Sequence, residues 1–252
     1  MEYNKKLDNL FDRWEQEAKM KGFNGFCRDG LLYKGKIWNT IGSDGKTYFG
    51  RGPGNEDELW YNANKKIIFL TKDTNSNPNQ DYREWLGRQG EGIITHKFFK
   101  NIAIWLYGLS SFDSQGKYST FEEAAIGENY TRAFDEIPFC IVNAKKESGG
   151  PKINNADLLY HANLSARFLK EQFEILSPDI IVCGGGQGSV LKVAKEIIYP
   201  ELEFIKINNW IYFNAETQKV LIDSYHPSAI ISYEEMYLGM MNSYKEFLEK
   251  ER

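Results

Sequence analysis

The sequence predicts an α/β fold in which helices cover both faces of a mainly parallel sheet. Three observations carry that reading. Short continuous apolar runs, such as Ile67-Ile68-Phe69-Leu70 and Ile180-Ile181-Val182-Cys183, have the character of strands covered on both faces. Segments of helical length separate them, the alternation expected of an α/β/α sandwich. The 252 residues suffice for one sizeable domain, or for a domain of about 190 residues with an N-terminal addition.

The first element reads as a helix. Leu7, Leu10, Phe11, Trp14 and Ala18 fall on one face, and the helix ends near Gly22. Residues 23–60 are rich in glycine and aromatics. Leu31-Leu32-Tyr33 and Lys36-Ile37-Trp38 suggest short strands there, and Gly52-Pro53-Gly54 a turn. Residues 1–64 therefore read as a helix and strand/turn extension packed on a main domain of residues 65–252. In that domain the strand at 67–70 precedes helices near 80–88, 96–108 and 120–134. A second strand covers 137–142 and a long amphipathic helix 154–176. The strand at 180–183 leads to a helix at 188–197, strands near 203–207, 210–213 and 219–223, and a terminal helix at 233–250.

Composition limits the class. Hydrophobic content of 42% and aromatic content of 15% support a packed core rather than disorder. No run of 18 apolar residues occurs, so no membrane partner is expected. The polar, acidic N-terminus is unlike a secretory signal. Cysteines 27, 140 and 183 show no metal-like spacing and suit a reducing compartment, so a cytoplasmic protein is expected. A net charge of −4 argues against tight non-specific DNA binding, yet 31 Lys and Arg leave room for a local basic face.

In parallel sheets ligands sit beyond the C-terminal ends of the strands, so the residues that follow each strand matter most. The first strand runs into Thr71-Lys72-Asp73-Thr74-Asn75, the second into Asn143-Ala144-Lys145-Lys146, the third into Gly184-Gly185-Gly186. The last runs into Ser224-Tyr225-His226-Pro227-Ser228. A carboxylate, an amide, close-approach backbone and an imidazole thus converge on one edge. Singly, Asp73 and Asn143 also suit helix caps or turns, and lysines 72, 145 and 146 read more readily as solvated surface groups than as phosphate ligands.

As an ordered set, the stretches IIFLTKD, FCIVNA, PDIIVCGGG and SYHPSAII resemble the motifs of the uracil-DNA glycosylase superfamily, over roughly residues 65–235. That resemblance implies a three-layer sandwich on a central, mainly parallel four-stranded sheet. It also implies a DNA glycosylase that hydrolyses the N-glycosidic bond of uracil or a related damaged base in single- or double-stranded DNA. Asp73 would then activate water and stabilise the sugar cation, and His226 would donate to the leaving base. Asn143 would read the base edge. Ser228 and the Gly185 turn would hold phosphate, and Ile230 would fill the space of the flipped nucleotide. No metal or other cofactor is implied, and three cysteines cannot supply the iron–sulfur branch. The chain departs from the pattern at Thr74 and Ala229, where the family carries proline. It departs also at Asn75, a base-site position that holds tyrosine in the most uracil-selective members. The aromatic that stacks on the base is open among Trp85, Phe98 and Phe99.

Three other readings compete. An altered member could bind a nucleobase, nucleotide or nucleic acid without cleaving it. Cys183 and His226 could form a thiol–imidazole pair. The glycine turn after 183 could cradle a phosphate, although Ser189 breaks the G-x-G-x-x-G spacing and no P-loop lysine follows.

Overall fold

The computed structural model describes residues 2–23, 25–74, 79–149, 153–186 and 188–251. Helix α1 (Tyr3–Met20) buries the five apolar residues of its predicted face. After it come strands β1 (Gly30–Leu31), β2 (Ile37–Ile41) and β3 (Thr47–Arg51), then helix α2 (Glu56–Asn62). The core strands are β4 (Ile67–Asp73), β5 (Cys140–Lys145), β6 (Ile180–Gly184) and β9 (Lys219–Ser224), with short β7 (Ile205–Lys206) and β8 (Ile211–Asn214) before the last. Helices α3 (Lys97–Ser111), α4 (Phe121–Ala124) and α5 (Gly127–Glu136) link β4 to β5. Helices α6 (Asn155–Leu164) and α7 (Ala166–Leu176) link β5 to β6, α8 (Ser189–Val193) follows β6, and α9 (Tyr233–Lys250) ends the fold.

The main sheet has seven strands rather than four, in the order β1-β5-β4-β6-β9-β8-β7. Its centre, β5-β4-β6-β9, is parallel as expected. The three further strands are antiparallel additions: β1 on the outer edge of β5, and β8 with β7 beyond β9. They satisfy backbone groups that a four-stranded sheet would leave open at both edges.

The strands alternate strictly between two cores. Ile68 and Leu70 join Leu7, Phe11, Trp14 and Phe173 under α1 and α7, while Ile67 and Phe69 join Trp105, Phe139 and Tyr237 under α3 and α9. Each fully buried side chain of this kind contributes about 1.5–3 kcal/mol. The N-terminal segment is therefore built mainly into the first core, with Leu32 in the second, and into one sheet edge.

Several expected helices are shorter than their patterns. Residues 80–88 form only the 3-10 turn Tyr82–Glu84, because their backbone is used elsewhere: Arg28 N–H donates to Gln80, Tyr82 N–H to Arg28, and Tyr33 N–H to Arg83. The segment 154–176 breaks at Ser165, whose hydroxyl accepts from the Trp14 indole while Trp14 stacks on Phe168. The helix expected at 120–134 divides between α4 and α5. Within residues 23–60 the structure adds α2, whose first turn carries Glu56, Asp57 and Glu58 where the helix dipole favours them. No helix among the described residues is long and apolar enough to cross a membrane.

Candidate functional site

Strand β4 connects towards β5 on one side, while β6 connects towards β9 on the other. The crevice between their C-terminal ends is the topological switch point, where ligands bind in such sheets. Asp73 is the last residue of β4. It pairs in register with Lys145, as Thr71 pairs with Asn143, so the two-residue period of a strand puts all four side chains on one face. The Asp73 side chain is half-buried, and its Oδ2 has no hydrogen-bond partner among the described residues. Burial raises its pKa above the ordinary carboxylate value, while the ammonium groups of Lys145 and Lys72 pull it back down. A Cβ on Gly149 would stand 3.2 Å from Asp73 Oδ2 and 2.9 Å from Lys145 Nζ, so carboxylate and ammonium both close on this glycine.

His226 reaches the same crevice by a fold-back. After Ser224, which pairs with Gly184 at the end of β6, the chain turns and lays Pro227 over that glycine. A Cβ there would lie 3.1 Å from Pro227 Cδ. From the helix layer, Asn101 of α3 donates to the Pro227 carbonyl at 2.6 Å. The imidazole is fixed from within the loop, because Ser228 N–H donates to His226 Nδ1 at 3.1 Å. An accepting Nδ1 puts the proton of the neutral ring on Nε2, leaving an N–H donor for a ligand. Burial, and then the Lys72 ammonium, hold the His226 pKa below its ordinary value. The ring is a neutral donor at neutral pH. Lys72 thus acts electrostatically on Asp73 and His226 together.

Asn143 lies deeper. It is not the end of its strand: β5 runs two residues further, and Asn143 is only 3% exposed. Its Nδ2 donates to Asp29 Oδ2 at 3.2 Å and its Oδ1 accepts from the Thr71 hydroxyl at 2.7 Å. Its backbone N–H donates to the same Asp29 oxygen at 2.8 Å. The other oxygen of Asp29 accepts from Lys146 Nζ at 2.6 Å and from Gln172 Nε2 at 2.9 Å. Lys145 and Lys146 are therefore not solvated surface lysines. Lys146 is completely buried, packed against the ring of Trp14 at 5.1 Å and ion-paired with Asp29; Lys145 is nearly so, beside Asp73. A buried charge needs a partner, and the N-terminal segment provides it.

The remaining positions separate. Ser228 is exposed beside His226, and Ile230 is fully exposed, at 101%. Gly185 owes its size to packing, since a Cβ would meet Val190 Cγ2 at 2.3 Å. Asn75 lies outside the described residues. Phe98 lies 5.8 Å from the His226 ring, edge-on to Phe99, and Trp85 stacks on Tyr82 and meets both phenylalanines edge-on. All three aromatics are partly exposed, and Phe98 stands nearest the imidazole. Cys183 is fully buried in β6, and burial pushes its thiol well up, against a nucleophilic role.

Sequence reading missed Asp29, Thr71, Asn101 and Gln172. A polar Thr71 directly after an apolar run was a visible signal. Asp29 and Gln172 gave none, because their partners stand more than a hundred residues away in the chain. Asp73, Asn143 and His226 share the β5-β4-β6-β9 edge without a direct hydrogen bond between them among the described residues. No protein-family model matches this sequence, and no curated protein matches it.

Proposed function

We propose that the protein is a DNA glycosylase that hydrolyses the N-glycosidic bond of uracil or a related damaged base, as part of base excision repair. The observation that carries this reading is that the half-buried Asp73, whose Oδ2 has no partner among the described residues, shares one sheet edge with His226, whose Nδ1 accepts from Ser228 N–H and so leaves Nε2 as the donor of a neutral ring. Breaking the bond leaves positive charge on the sugar and sends the electron pair to the base. Water then adds to the sugar carbon and gives up a proton to the Asp73 carboxylate, and the base anion is protonated from solvent. Asp73 supplies negative charge on the sugar side and orients that water, while His226 meets the charge developing on a carbonyl oxygen of the base. A preorganised donor at such an oxygen is worth roughly a hundred- to a thousandfold in rate. The neutral state of His226 matters, because a donor that keeps its proton stabilises the anion without needing to be reprotonated.

The surroundings support a nucleic-acid partner, although the chain as a whole is acidic. Lys97 donates to the Ile231 carbonyl, and Lys100 stands 4.7 Å from the Tyr233 ring, so two ammonium groups flank the loop bearing His226 and Ile230. Lys72 adds a third beside the crevice. An exposed aliphatic tip on a loop that lysines flank suits insertion into a base stack. The mechanism draws on no metal or cofactor.

The direct test incubates pure protein with single- and double-stranded oligonucleotides carrying uracil, hypoxanthine or a mismatch, followed by alkali. Strand breakage at the modified base is expected for at least one substrate. No product from any of them sinks the reading.

A further inference from the structure

The N-terminal segment lends the site a residue that no motif announces. We propose that Asp29 is a positioning residue that locks the Asn143 amide in one orientation, and so decides which base edge the site accepts. The inference rests on the glycosylase reading for its substrate, but not for its geometry.

Each group facing the Asp29 carboxylate is a donor. Asn143 N–H and Nδ2 meet one oxygen, and Lys146 Nζ and Gln172 Nε2 meet the other. All four groups lie on residues that are 3% exposed or less. Turning the Asn143 amide over would bring Oδ1 against this carboxylate, acceptor against acceptor, in a medium that screens little. The Thr71 hydroxyl at the other end imposes no such choice, because it can donate or accept. Asp29 therefore sets the orientation, and Thr71 follows it.

A fixed amide has a chemical consequence. One N–H is given to Asp29 and one Oδ1 lone pair is taken by Thr71, so the amide has one further N–H and one further lone pair to offer. Uracil presents an acceptor at O4 next to a donor at N3. Cytosine presents the reverse, a donor at N4 next to an acceptor at N3. An amide free to flip serves either base, whereas a locked one serves one of them. The geometry thus makes residue 29, far from the strand-end motifs, a determinant of uracil-over-cytosine selection.

The experiment compares the uracil to cytosine ratio of kcat/KM on single-stranded oligonucleotides for the wild type, Asp29→Asn and Thr71→Val, with thermal melts to establish folding. Asp29→Asn is expected to lower the ratio by about tenfold or more, and Thr71→Val by a few-fold at most. A merely structural defect would slow both bases alike and leave the ratio unchanged. That result, in a folded variant, overturns the proposal. Should Asp29→Asn not fold, the double variant Asp29→Leu/Lys146→Met removes the buried pair as a unit and is read in the same way. If the wild type excises neither base, only the choice of uracil as its substrate fails. The lock is then read from the Asn143 side-chain amide resonances: loss of their exchange protection in the variant supports it, and unchanged protection overturns it.

Discussion

Two carboxylates near one end of the sheet, Asp29 and Asp73, lead opposite lives. Asp29 is fully buried, receives four hydrogen bonds and neutralises a buried lysine. Asp73 is half-buried and is approached by lysines; among the described residues it has no direct ion pair, and one of its oxygens has no partner. A satisfied charge holds a structure together. An unsatisfied one is a standing cost, tolerated where a ligand will meet it. The contrast separates the architectural end of the edge from the chemical end, and it can be broken from either side.

The largest effect is expected at Asp29. Asp29→Ala strands the Lys146 ammonium in the core, and loss of one partner of a buried pair costs about 3–5 kcal/mol. Denaturant unfolding measures it. Replacing both partners with apolar residues of similar volume, Asp29→Leu/Lys146→Met, should recover most of that loss. If the single variant unfolds at the wild-type denaturant concentration, the network is not structural.

Asp73 should give the mirror image. Asp73→Asn is expected to reduce excision by roughly a hundred- to a thousandfold, about 3–4 kcal/mol of barrier. It should also raise Tm by roughly 1–4 °C, because it deletes a charge that burial disfavours. The sign follows from linkage. A carboxylate whose pKa is raised in the folded state binds more protons there than in the unfolded chain, so it lowers stability as pH rises through its titration. A variant that loses activity and stability together would place Asp73 with Asp29 among the structural groups.

The pH profile sharpens the same comparison. Asp73 acts ionised, with its pKa raised by burial, and His226 acts neutral, with its pKa lowered by burial and then by the Lys72 ammonium. Both requirements fail on the acid side. Thus kcat/KM should climb as pH rises through the acid range and then level off, with no alkaline limb from either group. His226→Gln should lower activity by about ten- to a hundredfold and leave a simpler acid limb, set by Asp73 alone. A limb unchanged in shape would mean that His226 does not titrate in the rate.

How far the sequence reveals this depends on the range of each interaction. Helices α1 and α9 and strands β4 and β6 are legible because their patterns are local: the face of Leu7, Phe11 and Trp14, or the run Ile67 to Leu70. The strand ends are legible for the same reason, and they place Asp73 and His226 on one edge. The Asp29–Lys146 pair is not, because 117 positions separate its members and a lysine next to a strand reads as surface by default. The position of Asn143 inside β5, and the edge strands that widen the sheet to seven, depend on tertiary pairing in the same way. The helix expected near residues 80–88 fails because its backbone bonds to residues 28 and 33 instead of to itself.

The smallest effect lies at the rim. Ile230 touches solvent on every side, so trimming it should leave the unfolding free energy within about half a kcal/mol of the wild type. Its role is confined to duplex substrates. Extruding a base from a stacked pair costs a few kcal/mol, and a side chain that fills the gap offsets part of that cost. A single strand has no such gap to fill. Ile230→Ala should therefore slow excision from double-stranded DNA by about three- to tenfold and leave the single-stranded rate unchanged, read as single-turnover rates on matched oligonucleotides. Equal slowing on both substrates would make Ile230 a contact for the strand itself. No slowing on either would leave its exposure unrelated to DNA, and would move the nucleic-acid interface away from the loop that carries His226.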